Sequence, residues 1–468
     1  MNAQTLTRLK QAAGPNGHTG DPAIIGPHLV EWRSKYKGRS ELLLMPSTTS
    51  QVSEILKICS DTNTPIVPQG GNTGLVGGQI PFDGEVLLSL SRMNAVRKLD
   101  TAAHTIIVEA GMILADVQRA ADQDDLLFPL SLAAEGSATI GGNLSTNAGG
   151  VNVLRYGMAR DLVLGLEVVL ADGRVLDLLH TLRKDNTGYD LKQLFIGAEG
   201  TLGIITAAAL KLSPKPAVRS TALVALPSPA AAIALLADMQ SETGGQISAF
   251  ELIPRIGLDL VVRHIPGARD PFRDRFPWYA LIEAAGAANS NLAAILETTL
   301  ASVAAKGTIA DAVVASSEAQ RLELWSLREN LSEAQKREGA SIKHDVSVPV
   351  SAIPRFLEEA TAAVLRLIPD ARPVSFGHIG DGNIHFNFSA PKGGEDDAFL
   401  ARWDDVQRIV HDVVHKFDGS ISAEHGIGVQ KRDQLLRYKS PVEIELMRTL
   451  KRAFDPKNIL NPGKVVAL

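Results

Sequence analysis

Glycine is crowded into two short segments, and these constrain the fold more than any other feature of the chain. PQGGNTGLVGG at 68–78 holds five glycines in eleven residues, and GSATIGGNLSTNAGG at 136–150 holds five in fifteen. A backbone without Cβ atoms takes positive φ and closes tightly on a ligand, so successive N–H groups can point at anionic oxygens. Asn72, Thr73, Thr146 and Asn147 add short hydrogen-bonding side chains at the same places. Neither segment contains the GxxxxGK[ST] of a P-loop, and neither fits GxGxxG. Each alone reads equally well as a tight loop without a ligand. With GAEGTLGIIT at 197–206 as a third, they point to a phosphate-bearing ligand.

With 468 residues the chain is too long for one core, and two or three domains are expected. Hydrophobic residues make up 45% and charged residues 21%, as in an ordinary globular protein. A net charge of −5 and the lack of any Lys/Arg run argue against nucleic acid as a partner. The single cysteine, Cys59, excludes an intrachain disulfide and a thiolate-rich metal site. The start, MNAQTLTRLKQAAGPNG, lacks the apolar core of a secretory signal. No window carries the ~18 apolar residues of a transmembrane helix. These features together set the expectation of a soluble, cytoplasmic protein.

The pattern changes along the chain. Ser47 to Ser50 offer N-caps for a helix in QVSEILKICS, and TPIVP follows as a short strand. EVLLSL and HTIIVEAG read as strands, and LGLEVVLADGRVLDL as a hairpin turning at Asp172-Gly173. From about residue 218 the order becomes strand, helix, strand, and then repeats: STALVALP, 229–240, QISAFELI; then WYALIEAAG, 291–304, GTIADAVV. That order predicts antiparallel strands covered by helices, as in ferredoxin-like folds. Further helices are expected at 318–337, 351–366 and 398–417. No low-complexity segment or short repeat stands out.

GHIGDGNIHFNF at 377–388 sets two histidines about an Asp-Gly pair. A two-residue turn at Asp381-Gly382 would pair Gly380 with Asn383, Ile379 with Ile384 and His378 with His385. Opposed residues on one face have Cβ atoms roughly 4.5–5.5 Å apart. Two imidazoles at that spacing either stack or share a divalent ion, at ~2.0–2.1 Å per Zn–N bond. Asn387 falls on the same face, and SAEHGIGVQKR offers Glu424 as a third ligand beside His425.

VPQGGNTGLVGG, IGGNLSTNAGG, RYG at 155–157, LRKDNTGYDLKQLFIGAEGTLGIIT and ILNPGKV together resemble the vanillyl-alcohol-oxidase-type flavoproteins. Within these the chain is most similar to the D-2-hydroxyacid dehydrogenase branch, and in it to the D-2-hydroxyglutarate dehydrogenases, from residue 40 to the C-terminus. The resemblance implies an α+β fold with four parts. These are an N-terminal extension (1–37), a two-subdomain PCMH-type FAD-binding domain (38–217), a ferredoxin-like antiparallel-sheet cap for substrate and metal (218–430), and a C-terminal helical segment (431–468) returning to the FAD domain. It assigns Pro68, Gly70, Gly71, Asn72, Thr73, Gly74 and Gly77 to the first pyrophosphate loop. Gly142, Asn143, Thr146 and Asn147 would line the second segment, with Gly136 and Ser137 just before it. Glu199, Gly200, Gly203 and Ile204 would approach the adenine or ribose end, and Asn461 would return to the flavin. The phosphate loops contain no His or Cys to tether the flavin, so FAD is expected to be non-covalent. His378, His385 and Glu424 match the family's metal ligands and His425 its base, with Asn387 donating to a substrate oxygen. Two histidines and a carboxylate suit Zn²⁺, with Mn²⁺, Co²⁺ or Fe²⁺ as alternatives.

The implied substrate is a small 2-hydroxy acid, whose C1 carboxylate and C2 hydroxyl would chelate the cation. LWSLRENLSEA and SIKHDVSVP place Arg328, Ser332 and Lys343 at the family's positions for a carboxylate. By pattern alone Arg328 reads more readily as a solvated helix residue paired with Glu329 or Ser332, and only the resemblance points to substrate. A distal carboxylate would favour D-2-hydroxyglutarate, then D-malate, over D-lactate or glycolate. An oxidase using O₂ and a flavin-bearing electron carrier are the other classes, the latter disfavoured by the histidine hairpin. NAD is disfavoured as acceptor because no GxGxxG follows a strand. An electron-transferring flavoprotein or a quinone is the expected acceptor, and a homodimer is compatible with the chain.

Overall fold

The computed structural model describes residues 1–468. The chain forms two compact units: residues 1–149, 157–215 and 424–468 make the first, and 150–156 with 216–423 the second. Glu424 and His425 belong by contact to the first unit.

The first unit contains two main sheets. One orders His18–Thr19, Leu43–Leu44, Val86–Ser89 and Ile66–Gln69, the last three strands parallel. Ile25, Leu43, Val67 and Leu87 form its core. The helix Thr49–Thr62 is capped by the Thr48 hydroxyl, which accepts from the Gln51 amide, and ends at left-handed Asn63. The other sheet is antiparallel, in the order Val96–Asp100, Thr105–Glu109, Ile204–Lys211, Val163–Val169, Val175–Asp177. Val163–Val169 and Ile204–Lys211 are buried almost throughout, which is why they read as unbroken apolar runs. The hairpin turns where expected, with Gly173 at φ 86°. Residues 1–37 are part of this unit: His18–Thr19 pairs with Leu43–Leu44. The C-terminal segment joins it through a parallel bridge of Leu460 to Ile66.

The second unit carries an antiparallel sheet ordered Ile247–Pro254, Trp278–Gly286, Val218–Leu226, Asp311–Val314. Taken in chain order these strands sit 2-3-1-4, with helices Pro229–Glu242 and Leu292–Ala305 following the first and third, the ferredoxin-like arrangement expected from the sequence. A second sheet is centred on Asn383–Ser389. Arg372–Phe376 lies on one side of it, and Ser341–Ile342 and Asp345–Ser347 on the other. The helix expected at 318–337 breaks into Glu318–Glu329 and Leu331–Arg337 at Asn330, whose side chain turns back onto Ser326. Likewise 398–417 resolves into Asp396–Leu400 and Trp403–Lys416. No helix is long and apolar enough to cross a membrane.

Candidate active site

In the first unit the glycine segments pack against each other without room for side chains. A Cβ on Gly70 would lie 2.3 Å from Thr139 Oγ1, and one on Gly71 only 1.8 Å from the Ser137 carbonyl. One on Gly200 would meet Pro68 at 2.4 Å. Asn72, Asn147, Glu199 and Asn461 all take left-handed backbone conformations, φ 55°, 50°, 49° and 42°. Such strain concentrates at ligand sites. Several short polar side chains brace the loops. Asn72 Nδ2 donates to the Pro27 and Val30 carbonyls while its Oδ1 accepts from Gln79, Thr146 Oγ1 donates to Gly142, and Asn147 Oδ1 accepts from the Arg160 amide. Gly74 lies against Gln79 and Gly77 against Val429 and Tyr36. Gly203 packs on Val168 and Phe195, and Ile204 is core. Gly136 and Ser137 are exposed, Pro68, Thr73 and Gly142 half-buried.

Two groups in these segments remain open to a ligand. Asn143 Nδ2 and Asn461 Oδ1 are buried and have no protein hydrogen-bond partner. A buried amide left unsatisfied costs about 1–3 kcal/mol, so both atoms call for a polar group. Asn461 is held by its own Nδ2, which donates to the Gly78 and Glu199 carbonyls at 2.9 and 2.8 Å. Its turn is fixed by buried Lys451, bonded to Thr201, Asp455 and Leu460. Close-set glycine backbone with two unsatisfied amide groups fits a dinucleotide such as FAD.

The Glu199 side chain is engaged within its own unit. Its carboxylate turns to the loop after His425, accepting from the Ile427 amide at 2.7 Å and the Gly428 amide at 3.0 Å. Burial pushes its pKa up, against the two amides and Lys431. Glu424 lies against the second glycine segment: a Cβ on Gly149 would come within 2.6 Å of its Oε1. Glu424 is thus placed beside the second glycine segment of its own unit. Cys59 is buried with its thiol pushed up to about 12 by desolvation, so it is no nucleophile or flavin tether.

In the second unit the histidines do meet, but in another register. Phe376, rather than His378, faces His385 across the sheet. The connection is not a two-residue turn: Gly377 leaves the sheet and bridges to Leu252 on the edge of the ferredoxin-like sheet. That bridge sets His378 opposite Glu251. The rings of His378 and His385 still approach edge to face, centroids 5.5 Å apart. Only glycine fits at 377, where a Cβ would lie 2.6 Å from the Asn383 carbonyl.

Glu251 is the functional candidate that the sequence reading missed. Its carboxylate accepts from His378 Nδ1 at 2.6 Å and from Arg328 Nε at 2.6 Å, and it is 1% exposed. Burial alone would raise its pKa; the charges of His378 and Arg328 outweigh that and hold it at about 2. Arg328 is therefore not a solvated helix residue: it is buried and stacks over Phe376. A lone Glu in the buried run ISAFELIP was the available signal, since Glu is almost never buried unpaired. Asp345 faces His385 across the sheet, 4.0 Å from Nδ1. Asn387 donates to Gln335 and accepts from the His344 amide, leaving one N–H of its Nδ2 uncommitted. Ser332 is exposed and Lys343 half-buried. Two imidazoles with carboxylates as neighbours are donors suited to a divalent cation such as zinc.

Family models match most of the chain: an FAD binding domain at residues 40–179 and the C-terminal domain of FAD linked oxidases at 215–465. Mitochondrial D-2-hydroxyglutarate dehydrogenase of Arabidopsis thaliana is 40% identical over 466 residues, covering 100% of this chain and 82% of that one. The mitochondrial enzyme of that name from Bos taurus is 41% identical, with 95% and 80% covered. D-2-hydroxyglutarate dehydrogenase of Xanthomonas citri pv. viticola is 37% identical, with 99% and 97% covered. Among solved structures, alkyldihydroxyacetonephosphate synthase aligns over 99% of this chain and 85% of its own with TM-score 0.76. Substrate-bound p-cresol methylhydroxylase gives the same score over 99% and 96%. At 18% identity these two speak for the fold alone. The cytoplasmic expectation is corrected by the relatives from Arabidopsis thaliana, Bos taurus, Danio rerio and Rattus norvegicus, all mitochondrial by name. Compartment is an address read by receptors, which charge balance and cysteine count do not encode.

Proposed function

We propose that D-2-hydroxyglutarate is the substrate, from the premise that this chain belongs to the FAD-linked oxidase family and is an FAD-dependent hydroxyacid dehydrogenase. The reading rests most on one observation: a single unit holds both a buried guanidinium, Arg328, and a facing imidazole pair, His378 and His385. Arg328, Ser332 and Lys343 take the carboxylate distal to the reacting carbon. Charge-assisted hydrogen bonds there contribute about 1.5–3 kcal/mol each. His378, His385 and Glu424 hold a divalent cation, zinc by donor type, which favours ionisation of the substrate hydroxyl. FAD, bound without a covalent link, supplies the hydride acceptor. His425 receives the hydroxyl proton, a task suited to imidazole near neutral pH. The Glu199 carboxylate fixes the loop that carries His425, and Asn387 uses its remaining N–H to orient a substrate oxygen. The products are the 2-oxo acid and a reduced enzyme that passes electrons to an electron-transferring flavoprotein or a quinone.

This arrangement predicts an order among substrates. D-malate, with both carboxylates but one carbon fewer, turns over less well than D-2-hydroxyglutarate, and D-lactate least. Anaerobic addition of each acid, followed by the loss of visible flavin absorbance, tests the order. Equal reduction by D-lactate and D-2-hydroxyglutarate would remove the distal-carboxylate reading.

A further inference from the structure

We propose that Glu251 is a positioning residue that ties the arginine for the distal carboxylate to the cation-binding histidine, so that substrate recognition and cation geometry are set by one side chain. The inference rests on the assignment of Arg328 and His378 given above. Its physical basis is independent of that assignment. The two oxygens of one buried carboxylate are divided between two partners, Oε1 to His378 Nδ1 and Oε2 to Arg328 Nε, both at 2.6 Å. The backbone fixes the division. The bridge between Leu252 and Gly377 has hydrogen bonds of 2.8 and 3.1 Å and sets Glu251 opposite His378. Arg328 reaches the other oxygen from helix Glu318–Glu329 while lying over Phe376, 4.9 Å from the ring centroid.

Three consequences follow for the two partners. In the neutral form that would bind a cation, His378 would keep its proton on Nδ1, donated to Glu251, so that Nε2 could serve as the ligand atom. With Nε bound, the Arg328 guanidinium is held in one plane, and its terminal nitrogens retain donors for a carboxylate. The pair also balances charge: a buried arginine without Glu251 would be an uncompensated cation. No surface pair would need this geometry.

The test uses FAD-loaded full-length protein, with zinc affinity measured by chelator competition alongside anaerobic flavin reduction by D-2-hydroxyglutarate and D-lactate. Glu251→Gln is expected to weaken zinc binding by about 10–100-fold. It should also narrow the preference for D-2-hydroxyglutarate over D-lactate by about tenfold, while FAD content stays at the wild-type level. Arg328→Met, which leaves Glu251 in place but without its second partner, is expected to shift zinc affinity as well, by several-fold. A residue that only contacts substrate would leave zinc affinity alone, and a residue that only supports the fold would lower the melting temperature without moving it. Unchanged zinc affinity in both variants overturns the proposal. So does a Glu251→Gln variant that loses zinc but keeps the wild-type substrate preference. Should Glu251→Gln fail to fold, the zinc affinity of Arg328→Met decides. If wild-type flavin is not reduced by D-2-hydroxyglutarate, the substrate assignment fails, and zinc affinity in the two variants still reads the linkage.

Discussion

Arg328 is 8% exposed and its Nε lies 2.6 Å from Glu251, so an alanine there does two things at once. It removes the proposed carboxylate receptor and leaves a buried Glu251 with one cationic partner fewer. Breaking a buried ion pair costs about 3–5 kcal/mol. Arg328→Ala is therefore expected to lower the unfolding free energy by that order, measured by denaturant titration, as well as depress turnover of D-2-hydroxyglutarate more than of D-lactate. A variant with unchanged stability would place the Arg328–Glu251 pair in water. A second charge cluster bears on acid stability. Burial would raise the Glu338 pKa, but hydrogen bonds from Arg372, His264 and Arg263 hold it at about 2 against an ordinary 4.5. A carboxyl held low in the folded state stabilises above its unfolded pKa, and the contribution is lost as pH falls from about 4.5 towards 2. Melting temperatures across that window should fall more steeply for the wild type than for Glu338→Gln. Parallel curves would show that the cluster contributes nothing.

At the scale of elements, glycine positions decide whether loops can close. Gly71→Ala would put a methyl 1.8 Å from the Ser137 carbonyl, backbone that cannot move aside cheaply. Its expected outcome is a folded protein purified with little or no FAD, read from the ratio of visible to ultraviolet absorbance. Full flavin content would remove this loop from the binding site. Legibility in the sequence followed the same physics. The runs Val163–Val169 and Ile247–Pro254 were readable because burial on both faces demands apolar residues at nearly every position. The histidine hairpin was not. Asp381-Gly382 looked like a two-residue turn, yet Gly377 is drawn out of the sheet to pair with Leu252. A partner far away in sequence leaves no local trace. The same holds for Glu251, whose oddity within an apolar run was visible but whose partners were not.

For the whole molecule, the sequence pattern changes near residue 218, whereas the two units are interleaved in sequence, residues 150–156 belonging with 216–423 and 424–468 with the first unit. The return of the C-terminus was less local: Leu460 bridges Ile66 and Asn461 donates to Gly78 and Glu199, contacts spanning most of the chain. Only the motif ILNPGKV hinted at them. With Cys59 buried and the phosphate loops free of His and Cys, FAD should leave the protein on acid precipitation, and colour remaining in the pellet would disprove a dissociable cofactor. The central claim is that paired imidazoles with a carboxylate prepare a 2-hydroxy acid, gripped at its far end by Arg328, for oxidation by flavin. Anaerobic titration of the FAD-loaded enzyme with D-2-hydroxyglutarate, before and after removal of divalent cation by a chelator, tests it most directly. The account predicts complete bleaching of the flavin before chelation, loss of bleaching after it, and recovery when zinc is restored. Bleaching that is equally fast in chelated protein would contradict it.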